Sequence, residues 1–222
     1  MDTALTDEKL PTGNILTHCL IVVNPFSGIN IVVTTQKEYH IMASFEKAIK
    51  EILKHEGGYV NNAKDPGGAT NYGVSIRLLA DHPELGDFDG DGDVDIEDIK
   101  NMTIDDATKV YKTLWWDKYG YEKFIRDDIA LKIFDFSVNA GGSRAHKILQ
   151  ESLNSYGLKL TVDGIIGNAT YQAVNAFDTD ETAHKFLNVY RAKQTEFYTG
   201  LVTSKPNLGI FLKGWLNRVN AC

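Results

Sequence analysis

HEGGYVNNAKDPGGATNYGVS, residues His55 to Ser75, ends one kind of structure and begins another. Upstream of it, Phe45, Ile49, Ile52 and Leu53 repeat at helical spacing behind Ser44, a good N-cap. Gly57-Gly58 stops that helix, and residues 59–74 are rich in Asn, Gly, Pro and Asp, which predicts turns or a small hairpin. Glu56 therefore stands at a helix C-terminus, whose partial negative charge favours a protonated carboxyl. A carboxylic acid that keeps its proton until a leaving oxygen takes it is what glycosidic cleavage needs. Asp65 follows nine positions later across the turn. A hairpin there folds it back toward Glu56, so that two carboxyls flank one bond. Thr70 is the candidate for orienting a water. The other reading of these residues is a solvated helix end followed by ordinary Asp-Pro-Gly-Gly turn chemistry.

Outward from this stretch the pattern is mostly helical. Ser75 caps a short helix ending near His82-Pro83, and Thr103 with Asp106 forms a capping box for a helix through Trp115. Ile129, Ile133, Phe134 and Phe136 mark a buried helix ending at Gly141-Gly142. Helices follow from Ser143 to Leu153, Thr170 to Phe177, about Asp180 to Leu201, and Leu208 to Val219. The expected fold class is mainly α (α+β), with a small β element near the catalytic turn and additional C-terminal helices.

Residues 1–41 differ from the rest. They lack a helical period and mix turn residues (Asn24, Pro25, Gly28) with the β-branched runs Ile21-Val22-Val23 and Ile31-Val32-Val33. Lys37-Glu38 can be encoded as AAGGAG, a bacterial ribosome-binding sequence, and lies three codons before Met42. The expectation is that Met42 is the natural start and residues 1–41 a translated leader; a genuine N-terminal arm is the alternative. The organisation expected is this extension, a catalytic region over 42–142, and a helical region over 143–222.

The chain has 222 residues, 43% hydrophobic and 24% charged, enough to bury a core without disulfides. Its two cysteines, Cys19 and Cys222, suggest neither a disulfide framework nor zinc. The net charge of −7 comes from one place, since Asp87 to Asp98 holds seven acids and no base. No basic face points to nucleic acid, and no run reaches the roughly 18 apolar residues of a membrane span. The acidic segment MDTALTDEKL makes a poor secretory signal.

That acidic stretch, DFDGDGDVDIED, fits an EF-hand loop. Asp87, Asp89, Asp91, Asp93, Asp95 and Asp98 fall at loop positions 1, 3, 5, 7, 9 and 12, with Gly92 at the sharp turn and Val94 at the apolar position. Aspartate rather than glutamate at position 12 predicts weaker affinity. Position 7 contributes chiefly its backbone carbonyl, so Asp93 adds field more than a ligand. Without a cation these acids repel one another. One structural Ca²⁺ is expected, and none is needed for chemistry; a solvated acidic loop is the alternative. The stretch is also similar to one half of a dockerin, but dockerins carry two such loops.

In Glu56-Gly57-Gly58-Tyr59 and Asp65-Pro66-Gly67-Gly68-Ala69-Thr70-Asn71-Tyr72-Gly73 the chain resembles the glycoside hydrolase family 108 muramidases, lysozyme-like enzymes of phages and bacteria. Asp135 to Gly141 and Lys213 to Arg218 extend the likeness, which covers most of residues 43–220. The resemblance implies a lysozyme-like fold and Glu56 as catalytic acid. The spacing is also similar to the Glu, Asp, Thr triad of T4-type lysozymes. Eight residues separate Glu56 from Asp65, as there, but four separate Asp65 from Thr70, one fewer. Asn71 thus rivals Thr70, and Asp65 has a structural alternative.

A sugar polymer needs flat apolar faces to stack on. Tyr59, Tyr72 and Trp115 are candidates, with Trp116 and Tyr119 beside them. Trp115 is in register with Ala107, Val110, Tyr111 and Leu114, so core packing is its other reading. Asn139 either lines the cleft or caps a helix. Val162-Asp163-Gly164-Ile165-Ile166-Gly167-Asn168-Ala169-Thr170 resembles the turn of helical peptidoglycan-binding modules; a plain helix–helix turn is the alternative. The function these readings imply is an N-acetylmuramidase, a monomer whose partner is bacterial peptidoglycan, cutting between N-acetylmuramic acid and N-acetylglucosamine. The setting expected is a phage endolysin held in the host cytoplasm until release to the wall. A lytic transglycosylase, or a non-catalytic calcium-dependent wall-binding module, are the rivals.

Overall fold

The computed structural model describes residues 18–24, 28–34, 42–55, 58–61 and 68–221. It divides into two compact units, Met1–Ile41 and Met42–Cys222. In the first, β1 (His18–Asn24) and β2 (Gly28–Thr34) pair antiparallel, with His18 opposite Thr34 and Asn24 opposite Gly28. The β-branched runs seen in the sequence are these strands, a second small sheet that composition alone does not call for.

The second unit is helical. Its elements are α1 (Phe45–His55), α2 (Ile76–Ala80), α3 (Ile96–Asn101), α4 (Ile104–Tyr111), α5 (Asp127–Ala140), α6 (Gly142–Asn154), α7 (Asn168–Asn175), α8 (Asp180–Ser204) and α9 (Gly209–Ala221). A two-stranded hairpin, β3 (Thr70–Asn71) with β4 (Val74–Ser75), sits between α1 and α2. The mainly α architecture with a small β element is therefore the observed one.

Helix α5 is the hub. It packs against α1, α6 and α8, and Ile129, Ala130, Ile133, Phe134 and Phe136 are all buried along it. A helix apolar around most of its circumference belongs inside a bundle. The Phe134 ring lies 5.4 Å from Trp116, 5.8 Å from Tyr121, 6.3 Å from Phe45 and 6.5 Å from Tyr111. Aromatic pairs at such separations add about 0.5–1.5 kcal/mol each beyond area burial.

Local chemistry places the ends. The Ser44 hydroxyl accepts from the Lys47 amide at 3.4 Å, and the Ser44 amide donates to Asp127 Oδ1 at 2.7 Å, so the starts of α1 and α5 are tied together. Ser75 caps α2 by accepting from Leu78 N. Thr103 and Asp106 form the expected capping box on α4.

One expectation changes. The helix through Trp115 does not continue as α; residues Lys112–Asp117 form a π-helical segment. Its wider turn carries the buried stripe one position on, from Tyr111 to Trp116. Trp116 is thus buried, while Trp115, which the α period assigns to the core, is half-buried. Asn139 lies inside α5 rather than at its cap, which is Gly141 with φ +86°.

Candidate active site and acidic loop

Glu56, the residue after α1, and Asp65, within 62–67, lie outside the described residues. The frame around them is described. The Val60 amide donates to the Thr70 carbonyl and the Thr70 amide to the Val60 carbonyl, both at 2.8 Å. This bridge joins the two flanks of the segment that holds Asp65. Thr70, at the start of β3, pairs with Ser75, and among the described residues its hydroxyl reaches the Gly68 carbonyl, at 3.5 Å. A bond that long is weak.

Asn71 behaves differently. It is 6% exposed, and its Nδ2 donates to the Ile99 carbonyl at 2.9 Å and the Met102 carbonyl at 3.4 Å. Its amide is committed to anchoring the hairpin on the end of α3. Between Asn71 and Val74, the pair next to the turn, Tyr72 (φ +46°) and Gly73 (φ +76°) both adopt left-handed backbone. That is the geometry of a tight two-residue hairpin turn, and it is costly for a side chain as large as tyrosine. The Tyr111 hydroxyl donates to the Tyr72 carbonyl at 3.1 Å and holds the turn.

The stacking candidates separate by burial. Tyr59 is 39% exposed, while Tyr72 and Trp115 are half-buried against the core. Trp115 Nε1 donates to the Ser137 carbonyl at 3.2 Å, and its ring packs on Tyr111 at 5.6 Å. Tyr72, Tyr111, Trp115 and the C-terminal turn of α5 are thus linked in one chain of contacts. Asn139 is exposed on that turn, and its Oδ1 accepts from the Tyr198 hydroxyl of α8 at 3.3 Å. Tyr198 stacks on Trp215 of α9 with centroids 4.9 Å apart. The C-terminal helices therefore touch a sequence-named site residue, which helical periods do not foretell.

The acidic loop folds on its own carboxylates. Asp87 accepts from the amides of Gly90 at 2.7 Å and Gly92 at 3.1 Å. Asp89 accepts from Asp91 N at 3.2 Å, and Asp91 from Asp93 N at 3.1 Å. Gly90 (φ +81°) and Gly92 (φ +98°) supply the left-handed backbone the loop needs. The six aspartates gather as two triads, Asp87 with Asp89 and Asp91, and Asp93 with Asp95 and Asp98. Within each triad ligand oxygens lie within 4.8 Å of one another. The Asp91 charge, then desolvation and Asp95, raise the Asp93 carboxyl. The Asp91 amide lowers Asp89, but desolvation and the neighbouring Asp91, Asp98 and Asp87 charges leave it raised. Asp98 is fully buried. Its Oδ1 accepts from Phe88 N at 2.6 Å, and its Oδ2 from Asp95 N at 2.8 Å.

The C-terminal turn is pinned from one side. Gln150, 2% exposed, donates to Asp163 Oδ1 at 2.8 Å and to the Ile165 carbonyl at 3.0 Å, and accepts from Gly164 N at 2.8 Å. The Gln150 amide, followed by the Ile165 amide, lowers the Asp163 carboxyl.

Two family profiles match the chain: "Glycosyl hydrolase 108" over residues 49–141 and "Predicted Peptidoglycan domain" over residues 144–220. A solved structure, titled as that of SagA from Brucella abortus, is similar with 30% identity and a TM-score of 0.62. The alignment covers 79% of this chain and 89% of that one. The chain belongs to the glycosyl hydrolase 108 family. It is a lysozyme-like peptidoglycan hydrolase by that membership. No curated protein matches it in sequence. Within this hydrolase the two matched regions form a single compact unit. No helix among the described residues is long and apolar enough to cross a membrane.

Proposed function

We propose that this hydrolase is an N-acetylmuramidase that cuts the bond between N-acetylmuramic acid and N-acetylglucosamine with Glu56 as general acid. The observation that carries the reading is the reciprocal Val60–Thr70 pairing. It brings together the two described flanks of the segment that holds Asp65, a few residues after α1. The C-terminal end of α1 is negative, which favours the protonated form of a carboxyl that follows it. Asp65 supplies the second carboxyl and Thr70 a hydroxyl for the water; Tyr59, Tyr72, Trp115 and Asn139 line the glycan path. The test is digestion of isolated peptidoglycan by the wild type and by Glu56→Gln, with products identified by mass spectrometry. Reducing muramic ends from the wild type alone support hydrolysis through Glu56. Anhydro ends move the protein to the lytic transglycosylases. Wall binding without soluble products from either protein leaves a binding module.

We also propose that Asp87, Asp89, Asp91, Asp93, Asp95 and Asp98 hold one Ca²⁺. An all-oxygen donor set suits this hard cation, and the two close triads with raised Asp89 and Asp93 are the sites of repulsion a cation relieves. When bound, the ion supplies charge neutralisation and takes no part in glycosidic cleavage. Asp98 secures the loop to the start of α3, and Asn71 secures the other end of α3 to the hairpin. For the setting, we take the protein to be a phage endolysin held in the host cytoplasm until a pore releases it. Fractionation of host cells before and after lysis tests that.

A further inference from the structure

A cavity of about 390 Å³ opens at the seam between the two family-matched regions. One wall is the chain that follows the π-helical segment, with Lys118, Tyr119, Glu122 and Lys123; the other is the Gly164–Asn168 turn and Tyr171. The seam is tightly built. The Tyr171 hydroxyl donates to the Tyr119 carbonyl at 2.8 Å, and a Cβ on Gly120 would come within 2.6 Å of that hydroxyl. A Cβ on Gly142 would meet the Tyr119 ring at 2.4 Å. His146, 1% exposed, bonds the Tyr121 hydroxyl through Nε2 at 2.7 Å and the Gly164 carbonyl through Nδ1 at 3.1 Å. The walls are therefore held in place before any ligand arrives.

The lining is a specific mixture. Lys118 Nζ sits 5.6 Å from the Tyr119 ring centroid and Lys123 Nζ 5.3 Å from that of Tyr171, so each tyrosine face is paired with an ammonium. Glu122 keeps Oε2 buried with no hydrogen-bond partner among the described residues. A buried carboxylate oxygen without a donor is costly and invites one. Cations and an unsatisfied acid together suit a ligand of both signs. An N-acetylated sugar is uncharged and leaves these groups unmatched. A simple anion is opposed by Glu122.

We propose that this cavity binds the stem peptide of peptidoglycan, its carboxylate meeting Lys118 and Lys123 and a free ammonium meeting Glu122. This rests on the reading of the chain as a peptidoglycan hydrolase, but not on which bond it cuts. The subsite lies where the catalytic region and the C-terminal region both contribute, so it gives the second region a part in choosing peptide-bearing wall.

Titration calorimetry on the full chain, using the synthetic tetrapeptide Ala-γ-Glu-diaminopimelate-Ala, tests the proposal, with chitotetraose as the uncharged competitor. The tetrapeptide binds the wild type and is not displaced by chitotetraose. Glu122→Gln and Lys123→Met each weaken it roughly ten-fold or more. Lys123 is exposed, so its variant keeps the test open if Glu122→Gln fails to fold, which circular dichroism checks. Absence of tetrapeptide binding, affinity indifferent to both substitutions, or displacement by chitotetraose each overturn the proposal. Glu56→Gln binds the tetrapeptide as the wild type does, so loss of wall cleavage and loss of peptide binding are read separately.

Discussion

Arg218, near the end of α9, donates through Nε to Asp135 Oδ1 at 2.8 Å, joining the last helix of the chain to the central one. Asp135 is 2% exposed, so the carboxylate side of this pair is buried. One turn earlier on α5, the buried Lys132 donates to the Val219 carbonyl at 2.7 Å and the Arg218 carbonyl at 3.2 Å, satisfying carbonyls at the negative end of α9. Removing one partner of a buried ion pair leaves the other uncompensated. Arg218→Ala is expected to destabilise the fold by about 3 kcal/mol. Urea unfolding of the variant beside the wild type measures it. A loss below about 1 kcal/mol would show the pair to be solvent-relaxed.

Asn71→Ala removes the amide that holds the Ile99 and Met102 carbonyls. Unmade buried hydrogen bonds cost about 1–3 kcal/mol. Because the same residue anchors the hairpin carrying Thr70, wall hydrolysis should fall more than stability alone explains. Activity measured well below the variant's melting temperature distinguishes the two effects; full activity there would make Asn71 merely structural.

Gly142→Ala places a methyl group against the Tyr119 ring, which the native structure approaches to 2.4 Å of the added carbon. Gly142 has no left-handed backbone to protect, so any loss is steric. Overpacking of this kind costs about 1–3 kcal/mol. A variant as stable as the wild type would mean that Tyr119 swings freely out of the seam.

Calcium binding should stabilise the folded state in proportion to occupancy. At a free concentration about one hundred times the dissociation constant the gain is about 2.7 kcal/mol. A thermal melt in several millimolar CaCl₂ against one in chelator reads it, with Asp87→Ala as the variant that loses the shift. Equal melts with and without calcium would count against the ion and return the loop to a solvated acidic turn.

Burial lowers His146 from 6.5 to about 4, partly opposed by its bond to the Gly164 carbonyl. Between those pH values the unfolded chain binds more protons than the folded one, so stability rises with pH across the window. As pH falls from 6.5 to 4 the site loses on the order of 3 kcal/mol. Above that window the imidazole is neutral in both states and contributes no slope. Melting temperatures from pH 7 to 4 should fall more steeply for the wild type than for His146→Gln. Parallel curves would refute the assignment.

Much of the helical fold was legible because helices announce themselves locally. Ser75, and Thr103 with Asp106, cap the helices they precede in sequence. Gly141 ends α5 and Gly157, at φ +84°, closes the chain after α6, because each turn chemistry acts within a few residues. The acidic loop was legible for the same reason, its aspartates and glycines being spaced along one short segment. The π-helical segment was not, since one extra residue in a turn leaves the composition unchanged and shows only as Trp116 taking the buried place that the period assigns to Trp115.

What the sequence by itself determined is most of the helices, the hairpin after α1, the acidic loop and the identity of Glu56 as the acid to test, because capping, glycine punctuation and hydrophobic period are short-range; α3 escaped it. Only the tertiary structure decided that Asn71 is an anchor and not a free rival to Thr70. It also decided that Tyr198 reaches Asn139, and that Tyr171, His146 and Glu122 enclose a cavity with Lys118 and Lys123. Those partners stand tens of residues apart, and their meeting depends on how whole helices pack around α5, which no local pattern encodes.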